Sequence, residues 1–166
     1  YFDMAFSPDG RMLAIGGCAE FDCKQGEIIL WDVLAGRPSL PTLHGHTDSV
    51  YSLAFSPNGN MLASGSCANS INEQCVRGDI LLWDIQTRQP IQTLAQMQGH
   101  SDAVKYVTFS PDGIKLISSG YDKSIIVWDI EPKIIYGNIP APSSHSYAAE
   151  DRWSCSEYVI TGIRKW

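Results

Sequence analysis

Five cysteines and four histidines are the residues of this chain best suited to chemistry, and four of the cysteines form two close pairs. Cys18 and Cys23 bracket four residues, and Cys67 and Cys75 bracket seven. Three chemistries suit such pairs. They can be disulfides, which close short loops and restrict the unfolded chain. They can be reduced thiols acting as small apolar side chains. Zinc is the least favoured, because neither spacing has a histidine at finger distance. Cys155 is left over and is expected to be reduced. His44 and His46 make an H-x-H pair, a weak metal signal, and a solvated loop explains it better. His145 lies in the Ser- and Pro-rich stretch "PAPSSHSYAAED" and is expected to be exposed.

No nucleophile elbow, phosphate-binding loop or dinucleotide glycine fingerprint occurs in the sequence. Hence no catalytic residue, cofactor or metal is assigned, and the chain is not expected to be an enzyme. Its formal charge of −6, with 12 scattered Lys and Arg, argues against a nucleic-acid partner. No run of apolar residues is long enough for a membrane helix, and no membrane partner is expected. The opening "YFDMAFSPDG" has neither an initiator Met nor a signal peptide. It starts abruptly inside a strand, so a fragment of a longer chain or one piece of an assembly is expected.

What must position these residues is a repeat. "MAFSPDGRMLAIGG" (4–17), "LAFSPNGNMLASGS" (53–66) and "VTFSPDGIKLISSG" (107–120) lead into "GEIILWD", "GDILLWD" and "KSIIVWD". Gly45-His46 and Gly99-His100 precede the second and third copies. The alternation in "VYSLAF" predicts a strand with one buried face. "SPDG" predicts a tight turn, since Pro pre-sets φ, Asp bonds nearby backbone and Gly tolerates positive φ.

Three FSP[DN]G turns, two Gly-His pairs and three Trp-Asp pairs, in this order, resemble the WD-repeat β-propeller family over roughly residues 1–136. The cysteine-bracketed variant resembles bacterial members. The resemblance implies an all-β fold of four-stranded antiparallel blades, here partial: three blades plus a C-terminal tail. The expected divisions are 1–43, 44–97 and 98–136 for the blades. Residues 137–166 are expected to be a linker followed by a degenerate strand or closing tail. Phe6 to Trp31, Phe55 to Trp83 and Phe109 to Trp128 span 25, 28 and 19 residues. The cysteine brackets are therefore insertions between the second and third strands of the first two blades.

The resemblance also implies a hydrogen-bonded set in the third repeat: His100, Ser118, Asp122 and Trp128. The second repeat has His46, Ser64 and Trp83, with Arg77 at the Asp position. The first has Trp31, with Gln25 and Ile15 at the Asp and Ser positions. The two repeats that lack the turn Asp are those with cysteine brackets, so a cross-link is expected to replace the missing polar clamp.

By resemblance, the face carrying the inserts and the Gly-His loops receives protein partners. Its expected ligand-binding residues are Glu20, Phe21, Asp22, Thr47, Asp48, Asn69, Asn72, Glu73, Ser101, Asp102 and Tyr121. Glu20 and Asp22 favour a basic peptide. The function so implied is a non-catalytic protein or peptide interaction scaffold. The alternative is a regulatory or substrate-recruiting sensor module of a larger multidomain enzyme or signalling NTPase. An extracytoplasmic structural or lectin-like propeller is a third reading. The family prior places the chain in the cytoplasm, and oxidised cysteine pairs would place it outside. Three blades do not close a ring, so self-association or further blades are expected.

Overall fold

A computed structural model describes residues 2–18, 25–71, 74–91, 99–131 and 159–165. It is all-β, with three antiparallel sheets in chain order. The first holds β1 (Asp3–Phe6), β2 (Met12–Cys18) and β3 (Gly26–Asp32). Its outer strand comes in two pieces, β4 (Arg37–Pro38) and β5 (Leu43–His44), both paired to β3. The second holds β6 (Ser52–Phe55), β7 (Met61–Ile71) and β8 (Gln74–Asp84). The third holds β9 (Val104–Phe109), β10 (Lys115–Gly120), β11 (Ile125–Glu131) and β12 (Val159–Lys165). Within the segment 137–166, then, residues 159–165 pair with β11 as the outer strand of the third sheet.

Local chemistry shapes each hairpin in the same way. In the first turn Ser7 Oγ donates to Asp9 Oδ1 at 2.6 Å and accepts the Met12 N–H at 2.9 Å. Ser56 with Asn58 and Ser110 with Asp112 repeat the arrangement. Gly10, Gly59 and Gly113 adopt φ of 70°, 74° and 76°, which the turn demands and a side chain resists. The Asp of the first two Trp-Asp pairs shares one task. Asp32 Oδ1 accepts the Ala35 N–H, and Asp84 Oδ1 the Thr87 N–H, capping the turn into the outer strand.

The core lies between sheets, because strand side chains alternate faces. Met61 and Ala63 face the third sheet, packing with Ile80, Leu82, Val104, Val107, Leu116 and Trp128. Leu62, between them in sequence, faces the first sheet with Leu53, Leu81 and Trp83, against Ala14, Ile28, Leu30 and Val50. Each such fully buried Leu or Ile contributes roughly 1.5–3 kcal/mol. The same faces on the outer two sheets have no such cover among the described residues. Met4 and Phe6 are 64% and 62% exposed on β1, and Ile125 is 50% exposed on β11.

The second cysteine-bracketed insert is not a loop. It lengthens the hairpin, with β7 and β8 running eleven residues each and pairing out to Ile71 and Gln74 across two bulges. Cys67 lies opposite Gly78 and Cys75 opposite Ser70, so the two cysteines are diagonal rather than opposed. They are nevertheless disulfide-bonded, with S–S 2.07 Å and Cα atoms 5.9 Å apart. The bulges bring the diagonal pair within reach, since extra residues on one strand bend and twist it. Cys18 is likewise in the disulfide form. Cys23 lies outside the described residues.

Candidate functional site

The polar clamp of the third sheet runs from carboxylate to indole. Asp122 Oδ1 is 3.0 Å from His100 Nδ1, His100 Nε2 is 2.8 Å from Ser118 Oγ, and Trp128 Nε1 donates to Ser118 Oγ at 2.8 Å. A carboxylate can only accept, so His100 Nδ1 carries a proton. With a neutral ring, Nε2 then accepts from Ser118, which in turn accepts from the indole. Burial alone would push the Asp122 carboxyl up. Hydrogen bonds from Ser124 Oγ and N, His100 and the Ser101 N–H outweigh it and hold the group well below its ordinary 3.8.

The second sheet builds the same clamp from a different carboxylate. His46 Nε2 is 2.6 Å from Ser64 Oγ, which accepts from Trp83 Nε1 at 2.8 Å. His46 Nδ1 meets Asp79 Oδ2 at 3.0 Å. The sequence places Arg77 at the expected carboxylate position, which predicts that the clamp is lost. Asp79 supplies it from two residues further along β8, which in a strand is the same face. Asp79 thus stands at the position of Ser124, whose Oγ is itself 3.1 Å from His100 Nδ1. The disulfide in this hairpin therefore adds to an intact clamp rather than replacing one.

Glycine makes room for these clamps. A Cβ on Gly45 would meet Trp83 Cη2 at 3.0 Å, and one on Gly99 would meet Trp128 Cη2 at 2.9 Å. The Gly-His dipeptide is therefore one device: glycine admits the indole, and histidine reaches the serine that holds it.

The clamps fix the loops at one end of the sheets. Thr47 Oγ1 donates to Ala68 O at 3.1 Å, and Ser70 Oγ donates to Asp48 Oδ2 at 3.1 Å. Ser66 Oγ donates to Ser49 O at 2.8 Å, while Ser49 Oγ lies 2.8 Å from Cys18 Sγ. The loop 47–50 is thus braced by the stapled hairpin of its own sheet and by Cys18 of the sheet before it. Replacing Cys67 and Cys75 together by alanine should cost about 2 kcal/mol of stability in oxidising buffer. Urea denaturation with and without excess dithiothreitol checks this. The difference between variant and wild type should vanish on reduction, and a difference that persists would mean packing, not the staple, was lost.

Of the residues expected to bind ligand, Thr47, Asp48, Ser101, Asp102 and Tyr121 all lie at this end. Thr47, Ser101 and Tyr121 are exposed, Tyr121 by 65%. Asp48 and Asp102 are half-buried, and each caps the following residue: Asp48 Oδ1 accepts the Ser49 N–H and Asp102 Oδ1 the Ala103 N–H. Asn69 lies in β7, opposite Arg77. Glu20, Phe21, Asp22, Asn72 and Glu73 lie outside the described residues.

Sequence reasoning missed a cluster at the centre of this end. Phe2, Tyr51 and Lys105 each stand four residues before the Phe of an FSP[DN]G turn. The fold brings these equivalent positions together. The Phe2 and Tyr51 rings meet edge-on at 5.6 Å, and the Lys105 ammonium sits 3.4 Å from the Tyr51 ring centroid and 4.9 Å from that of Tyr121. An ammonium over an aromatic face is held by roughly 0.5–2 kcal/mol. Burial pushes the Tyr51 phenol up, and the nearby Asp48 carboxylate pushes the same way. Burial lowers Lys105, against an opposing pull from Asp48. Phe2, Asp3, Tyr51, Ser52, Lys105 and Tyr106 line a cleft of about 270 Å³ beside the ammonium. The available signal was a ring or a long cation at one offset in three repeats.

Antiparallel sheets with buried cores between them, the second and third each closed by a Trp–Ser–His–carboxylate clamp, are blades of the WD-repeat β-propeller type. The family described as WD domain, G-beta repeat matches residues 37–72 and 88–129. Among curated proteins, DDB1- and CUL4-associated factor 10 of Danio rerio is 27% identical over 129 residues, 77% of this chain and 22% of that protein. Protein groucho of Drosophila melanogaster is 31% identical over 124 residues, 74% of this chain and 14% of that protein. The chain thus spans less than a quarter of the length of these relatives. Among solved structures, the WD40 repeats of RRP9 share 30% identity at a TM-score of 0.60, covering 76% of this chain and 34% of that one.

Proposed function

We propose that the chain is a non-catalytic protein-docking module that receives its partner on the end carrying the Gly-His loops and the stapled hairpins. The observation that carries this reading is the convergence of equivalent positions from three repeats on one aromatic and cationic cluster. Apolar anchors with a polar surround are what a peptide-binding rim requires. The same end carries Asp3, Asp48, Asp102 and Asp122, which favours a basic partner. The name of the zebrafish relative, a DDB1- and CUL4-associated factor, describes a protein that acts in an assembly, and supports docking as the use of such blades. The open apolar faces of the outer sheets are where further blades, or a second copy of the chain, would complete a ring.

The test uses peptides selected from a random library against the folded chain. Tyr121→Ala should weaken the selected peptides by about thirtyfold, the loss of one hot-spot anchor. Leu34→Arg is the control, an exposed position in the turn at the opposite end of the sheets. It should change nothing. Peptides that ignore Tyr121→Ala and Ser101→Arg but are lost with Leu34→Arg would place docking on the other end and overturn the reading.

A further inference from the structure

We propose that Tyr51 and Tyr121 form a receptor site for a lysine ammonium of a partner protein, and that in the isolated chain Lys105 fills it as an internal stand-in. This rests on the docking reading above and deepens it by naming the ligand group. The Lys105 ammonium is a cation already seated against two rings, 3.4 Å and 4.9 Å from their centroids. Among the described residues no carboxylate makes an ion pair with it, so the aromatic faces hold it, with Asp48 supplying the nearby negative charge.

Two features make this a site rather than only a brace. Tyr121 is largely exposed, so one wall opens to solvent. The cleft alongside, about 270 Å³ and lined by Phe2, Asp3 and Tyr106 among others, gives the Lys105 stem somewhere to go when another ammonium enters. A tethered internal ligand reduces the fraction of molecules competent to bind, and so weakens any external one. The arrangement is therefore self-gated: a partner lysine must displace the chain's own.

The experiment removes the stand-in. Lys105→Met keeps an unbranched apolar stem but no charge, and Lys105→Gln serves as a second variant should the first fail to fold by its thermal melt. Three probes are titrated by NMR into wild type and variant. They are n-butylammonium chloride for a lysine side chain, choline for a free quaternary ammonium, and 3,3-dimethylbutan-1-ol as an uncharged isostere of choline. The expected result is a Kd for n-butylammonium about tenfold lower in the variant than in wild type. Adding Tyr51→Leu should abolish that binding, and the uncharged probe should not bind.

Equal binding of n-butylammonium to wild type and variant, or equal binding of the uncharged probe, overturns the site. Choline bound in clear preference to n-butylammonium overturns the assignment to lysine. If selected peptides still depend on Tyr121 while Lys105→Met leaves both them and the probes unaffected, the cation site falls and the docking face stands.

Discussion

Gly78→Ala is expected to destabilise the fold by about 3 kcal/mol or more. A Cβ at this position would lie 2.4 Å from Asp102 O, 2.8 Å from His100 Cβ and 2.9 Å from Val104 Cγ2. Two of the three are parts of the next repeat's Gly-His loop that cannot swing aside. Asp102 O is backbone, and His100 is locked by Ser118 and Asp122. The Gly78 N–H also donates to His100 O at 3.0 Å, so pushing the two segments apart breaks a hydrogen bond between blades. Gly26 meets the preceding junction in the same way, 2.2 Å from Asp48 O and 2.9 Å from His46 Cβ. Gly36→Ala is the comparison, with φ of 61° but nothing within 4 Å. It should cost only about 1 kcal/mol, from backbone strain alone. Urea midpoints of both variants test the difference, and similar values would show that the junction yields.

Asp122→Asn is expected to flatten the acid side of the stability–pH profile. The folded carboxyl is held well below its ordinary 3.8, so it binds protons less readily in the folded state than in the unfolded one. Its contribution is therefore complete above the unfolded value and is lost as pH falls through the folded one. At pH 7 the variant should be less stable by about 2 kcal/mol, because the Ser124, His100 and Ser101 donors are shared between two carboxylate oxygens, whereas an amide offers one uncharged oxygen and turns its NH2 toward a donor. Below pH 4 the two proteins should converge, as wild type loses what the variant never had. Chemical denaturation at pH 7, 5, 4 and 3 reads this directly. A gap that stays constant across the series would mean that shape, not charge, is what Asp122 supplies.

These two positions also show how far a linear reading reaches. The turns, the Trp-Asp pairs, the Gly-His pairs and the cysteine brackets are local, and each is complete within a few residues. Turn position alone does not point to Asp79, which lies on β8 rather than in the turn. A strand repeats every two residues, so a carboxylate two places further along reaches the same imidazole. β12 carries no Trp-Asp or Gly-His signal and reaches β11 across 27 intervening residues, so nothing local marked its pairing.

By itself the sequence determined the type of strand and the turns between them, which follow from side-chain alternation and φ preferences. The family resemblance implied which aromatic closes the third blade, and the cysteine spacing left disulfide, thiol and metal chemistries open. Only the tertiary structure decided which carboxylate completes the second clamp, which bulges bring Cys67 to Cys75, and that Phe2, Tyr51 and Lys105 meet. The cluster contacts join residues about fifty positions apart, and they arise because equivalent strands of successive blades converge at one end of the stack. Spacing along the chain marks those positions as equivalent but not that they meet, which is decided by how one sheet packs on the next.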